Sequence, residues 1–324
     1  MSGSPQLNHS QRVWAREKFL EAQPSNRMAL KNVMLLLEKG LPLDGGRFVQ
    51  AARRLSHFGT EPKDLPQRLD VEKLRKTLPL WSKEVLDLGL VRNLTVNQIF
   101  YGLKHPLLAN TQTNCSQLLG VFAETKVIPL ICFGCYKVQI RPRSVVGLIQ
   151  THFLLKHLPL ARRNFRKSMI EMREAVTGPY KAYVYCDSES EAIEIKEKFQ
   201  SQIGEYRLDN IQVGVSHGCS EYGLAYPDFR YRENGDHRDF RAPSKWEVIE
   251  KEAFSKLPSV ANGLEAERKP YITLREATGL TDWIIYAKII GDTSVNIFGD
   301  IPINKPPGWL STVSKQAEAR RNEL

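Results

Sequence analysis

Cys132-Phe-Gly-Cys135 spaces two thiols so that one tight turn can grip a single ion, and Cys186 and Cys219 supply two further thiols downstream. Gly134 and Gly218 remove side chains where backbone amides would turn toward sulfur. Four thiolates in a tetrahedral shell make a structural zinc site, and an iron–sulfur cluster is the alternative use of the same ligands. Cys115 reads as a free core thiol, and His217 as a loop histidine that could replace one cysteine. Asp187 and Glu221 would be the acid or base if such a site were catalytic. A closed four-thiolate shell leaves no position for water, which favours a structural role. The chain has no Gly-rich phosphate loop, Ser-His-Asp signature or HExxH, so whether it is an enzyme stays open.

Those cysteines need strands to bring them together. Tyr136–Arg141 alternates as a first strand, and Ser144 caps an apolar helix that stops before Pro159. Ser168–Met172 and Lys181–Tyr185 are the second and third strands. Ser188 and Glu191 form a capping box that opens a helix with Ala192, Ile195, Phe199 and Ile203 on one stripe. Ile211–Val215 is the fourth strand. The order strand, helix, strand, strand, helix, strand predicts a ferredoxin-like βαββαβ sandwich with strand order 4-1-3-2 and both helices on one face. In that topology the start of strand one and the ends of strands three and four share one edge. Cys132, Cys135, Cys186 and Cys219 are expected there.

Between Lys137 and Arg173 the basic residues Lys137, Arg141, Arg143, Lys156, Arg162, Arg163, Arg166, Lys167 and Arg173 face a single acid, Glu171. Such a run suits a polyanion, because each neutralised phosphate releases counterions. Alternation puts Lys137, Gln139 and Arg141 beside Tyr183 and Tyr185 on the helix-free face, an arrangement that can stack bases. The passage Ala182-Tyr-Val-Tyr-Cys-Asp-Ser-Glu-Ser-Glu-Ala192 resembles the third-strand-to-second-helix passage of RNA-recognition motifs. It departs from them by an offset at Lys181 and by the lack of an aromatic on the first strand. The basic run and the open strand face together suggest nucleic-acid contacts at Lys137, Arg141, Arg143, Arg162, Arg163, Arg166, Lys167, Tyr183 and Tyr185. The competing reading is that flanking helices cover this face.

The chain has 324 residues, which is long for one core. Three segments are expected: a helical region over 1–126, the α+β module over 127–226, and an irregular and helical region over 227–324. Near the end, capping residues Thr273 and Glu276 open a helix that stops at Gly291. Pro302, Pro306 and Pro307 suggest a terminal loop, and the last dozen residues a solvated helix or frayed tail. No apolar run approaches the roughly 20 residues of a membrane span, so a soluble, cytoplasmic protein is expected. Net charge is +10. The composite expectation is a metal-stabilised binding or adaptor protein for an anionic partner, RNA or DNA among the candidates and another protein the alternative. An iron–sulfur redox protein or enzyme is the competing class.

Overall fold

The computed structural model describes residues 7–23, 26–89, 103–105, 115–162, 164–173, 176–229, 242–256, 269–303 and 307–324. The N-terminal part is helical: α1 (His9–Ala22), α2 (Arg27–Lys39), α3 (Arg47–Ser56), α4 (Leu65–Leu69) and α5 (Val71–Asp87). Asn8, Asn26 and Asp70 cap α1, α2 and α5 by accepting a first-turn amide. The α3 N-terminus has no such cap of its own. The buried carboxylate of Glu17 in α1 instead accepts from the amides of Gly46, Phe48 and Val49. Helix α5 runs unbroken through Pro79. Proline deletes only one amide there, and the buried stripe Leu74, Leu78, Trp81 and Val85 holds the helix together.

The remaining elements are β1 (Leu103–His105), α6 (Cys115–Thr125), β2 (Tyr136–Pro142), α7 (Val145–His157), β3 (Arg166–Ile170), β4 (Tyr180–Cys186), α8 (Glu189–Glu205), β5 (Ile211–His217), α9 (Ser220–Ala225), α10 (Lys245–Ser255), α11 (Leu274–Ile290) and α12 (Pro307–Arg321). The fold class is α+β. The sheet order is β1-β3-β4-β2-β5, with every neighbouring pair antiparallel. Tyr136 pairs with both Cys186 and His217, and Val138 with Val184 and Val215. Val138, Ile140, Ala182 and Val184 therefore share one face, on which α7 and α8 pack.

On its far side α7 meets α4 and α11, and α11 packs on α5 and α12. One hydrophobic core runs from α1 through the sheet module to α12. A second, smaller cluster joins Leu118, Phe122, Val127, Ile128, Cys132, Tyr222, Phe229 and Trp246. The C-terminal tail is a docked helix rather than a loop or solvated end. Val313, Ala317 and Arg320 are buried, and Arg320 donates to the carbonyls of Glu171, Arg173 and Val176. Among the described residues no helix is long and apolar enough to cross a membrane.

The α7–α11 contact contains ions. Lys156 Nζ lies 2.6 Å and His152 Nε2 3.3 Å from Glu276 Oε1, while Glu276 Oε2 accepts from the Thr273 amide to close the capping box. Burial alone would raise the Glu276 carboxyl, but Lys156 and His152 hold it well below the usual carboxylate range. Burial pushes His152 below its ordinary 6.5. Lys156→Met should strand a buried carboxylate and lower unfolding stability by about 3–5 kcal/mol, read by urea titration. Adding Glu276→Gln to that variant should recover part of the loss. Both pKa values are depressed in the folded state, so the stabilisation is complete at neutral pH and lost on acidification. Stability should fall first as pH drops through about 6.5, where His152 of the unfolded chain takes a proton. It should fall further below about 4.5, where Glu276 of the unfolded chain does. Glu276→Gln should flatten the second fall.

Candidate functional site

The expected four-cysteine metal centre is not present. Among the described residues no group of three or more His, Cys, Asp or Glu side chains is placed to hold a metal ion. The zinc and iron–sulfur expectations, and the metal-stabilised function built on them, are corrected accordingly. The error is one of face. Cys186 pairs with Tyr136 in register with Val184 and Val138, so its thiol enters the main core on the helix side. Cys132 belongs to the second cluster, with Cys219 packed against it. Convergence on a sheet edge does not bring thiols together when period-two alternation sends them to opposite faces.

Three of the four thiols are also poor nucleophiles. Burial pushes Cys132, Cys135 and Cys186 up to about 12 each and raises Cys115. Cys132 Sγ sits 3.4 Å from the Tyr222 hydroxyl. Gly218 is required twice over: its φ is +59°, and a Cβ there would lie 2.4 Å from the Phe229 ring. His217 is a joint, not a ligand. Nδ1 is 2.9 Å from the Phe229 carbonyl and Nε2 2.8 Å from the Phe133 carbonyl, and the ring lies between Tyr136 and Phe229. Glu221 bonds Arg173 at 2.5 Å, and Asp187 bonds Arg162 at 2.9 Å.

The basic and aromatic residues of the face opposite α7 and α8 do gather. Lys137 Nζ lies 5.5 Å from the Tyr183 ring centre, and Lys167 Nζ lies 5.1 Å from Tyr183 and 5.6 Å from Tyr185. Most of this cluster is sunk. Tyr183 and Lys137 keep 7% and 8% of their surface, and burial raises the Tyr183 phenol. Lys181 is buried beside them, and burial, with Arg141 next, lowers its ammonium to about 8. Lys167, Tyr185 and Phe165 stay half-buried, and Phe165 and Tyr185 touch at 5.3 Å between centroids. Arg162 and Arg143 are exposed, and Arg141 is half-buried. Arg166 is spent on structure, donating at 2.5 and 2.8 Å to the carbonyls of Leu155 and Leu158 at the end of α7. Arg163 lies outside the described residues.

Sequence reasoning missed the ion cluster on this side of the sheet. Arg173 bridges the buried carboxylate of Glu171 at 2.7 Å and Glu221 of α9. Burial would raise Glu171, but hydrogen bonds from Arg173 lower it. A Glu-x-Arg spacing was visible, but its third member lies 48 residues beyond the arginine. No family model, curated protein or solved structure matches the chain. With Cys132 and Cys186 buried, Cys135 half-buried and all three thiols pushed up, a strong chelator should leave the melting temperature unchanged. Thiol reagents at neutral pH should modify the buried Cys132 and Cys186 only as fast as the protein unfolds, which mass spectrometry of quenched samples would read.

Proposed function

We propose that the chain is a binding protein for an extended polyanion, with single-stranded nucleic acid the class whose chemistry fits best. The module from β2 to β5 is on this reading a ferredoxin-like unit whose face opposite the helices carries the contact. The carrying observation is the Lys167 ammonium over both Tyr183 and Tyr185, while Tyr185 and Phe165 keep partial exposure. A half-covered aromatic pair with a cation at its edge offers one stacking surface and one phosphate contact. Arg162, beside the end of β4 through its bond to Asp187, extends the positive surface. Arg143 and Arg141 add charge at the other end of β2. Tyr183 and Lys137 support this platform from beneath, and Arg166 positions the segment between α7 and β3.

Fluorescence anisotropy with labelled single-stranded oligonucleotides should show affinity that falls steeply with salt. Arg162→Glu with Lys167→Glu should reduce the logarithmic salt slope by about 1.4, roughly 0.7 for each phosphate contact. Tyr185→Ala should cost about 1–3 kcal/mol of binding if a base stacks there. Arg166→Gln should lower thermal stability and leave the salt slope in place. No binding to DNA or RNA at low salt would remove the proposal.

A further inference from the structure

Strand β5 closes one edge of the sheet, and its backbone register shows which of its groups are spent. The Gly218 amide donates to the Cys135 carbonyl at 2.8 Å, and the Arg143 amide donates to the Asn210 carbonyl at 3.1 Å. The even-numbered positions therefore face β2 with their backbone groups. By the alternation of antiparallel ladders, the amides and carbonyls of Ile211, Val213 and Val215 point away from the sheet. Among the described residues no strand pairs with that side of β5.

Edge strands are ordinarily protected by a charge, a proline, a bulge or short length. β5 has seven residues in unbroken register with β2, and its sequence Ile-Gln-Val-Gly-Val-Ser-His contains no Lys, Arg, Asp, Glu or Pro. An edge so bare is suited to being paired. We propose that β5 is a homodimer edge, pairing antiparallel with β5 of a second copy of this chain about a two-fold axis through Gly214.

The register is self-complementary. A two-fold at Gly214 sets Val213 opposite the second copy's Val215, and Ile211 opposite its His217. These are the positions whose backbone groups point outward, so each pair exchanges two backbone hydrogen bonds. Gln212 falls opposite the second copy's Ser216, so no like charges meet. This matters for a chain of net charge +10, whose copies repel over most approaches. Lys167 lies on β3, two strands from β2, so the dimer leaves both cationic platforms accessible and does not depend on the nucleic-acid reading.

The full chain should sediment as a concentration-dependent dimer. Hydrogen exchange should show the Val213 and Val215 amides protected in the dimer and open on dilution. Val213→Pro removes one outward amide per copy without touching the β2 ladder, and should weaken dimerisation roughly tenfold to hundredfold. Gln212→Glu with Ser216→Glu sets carboxylates opposite each other and should do the same. Gln212→Lys with Ser216→Glu opposes unlike charges and should restore the dimer. Circular dichroism would confirm that each variant is folded, and the two charge pairs keep the test valid if Val213→Pro is not. A monomer at every concentration, a dimer indifferent to both charge pairs, or a monomer that protects these amides only with an added extended peptide would overturn the proposal.

Discussion

Helix α7 has no solvent side. All of its residues from Val145 to His157 are buried, between the sheet on one face and α4 and α11 on the other. A helix in that position gains from internal partners for its polar side chains, and although the Thr151 hydroxyl has none among the described residues, others are engaged. Gln150 donates to the Leu69 carbonyl at the end of α4. His152 and Lys156 meet Glu276 of α11. The first amide of the helix, at Val145, donates to Asp292, which also accepts from the Tyr180 hydroxyl on β4. These bonds join the sheet module to α4, to α11 and to the segment just after α11. The N-terminal helices, the sheet and α11 are held in one arrangement by what α7 would otherwise leave unsatisfied.

Much of the secondary structure between Tyr136 and His217 was legible, because alternation and capping are local signals. Thr273 and Glu276 were readable as a capping box for the same reason, and the box is complete. The second use of Glu276 was not readable. It depends on Lys156, 120 residues earlier, arriving on the facing helix. The Ser188–Glu191 pair shows the converse. Ser188 caps α8 as its type suggests, but Glu191 turns instead to the Asp187 amide and Asn164. Local pattern names the residues able to cap, and tertiary packing decides where their second hydrogen bond goes.

The site was less legible than the fold. Placing Cys186 with Cys135 and Cys219 used the topology of strand ends and ignored the period of two. The pairing of Tyr136 with Cys186, read beside Val138 with Val184, puts that cysteine on the apolar face with the residues whose alternation defined the strand. Charge counting failed for a different reason. Lys156, Arg166 and Arg320 look like solvated cations in a basic chain, yet all three are buried and engaged with carboxylate or backbone carbonyl oxygens. A long basic side chain carries no sequence mark that separates a surface charge from one that ties two elements together.

The consequence is that the surfaces of the sheet module are covered unequally. Its helix face is consumed by α7 and α8. The β3 end is consumed by α12, where Gln316 and Arg320 take the carbonyls of Met172, Glu171 and Arg173. The turn before β2 and the end of β5 are locked by His217 between two carbonyls. Among the described residues the corner of Lys167, Tyr185 and Phe165 is half-covered, and no strand pairs with the outer edge of β5. The corner lies at β3 and β4 and the open edge on β5, with β2 between them. The two places differ in chemistry, the corner offering aromatic faces beside a cation and the edge a row of backbone amides and carbonyls.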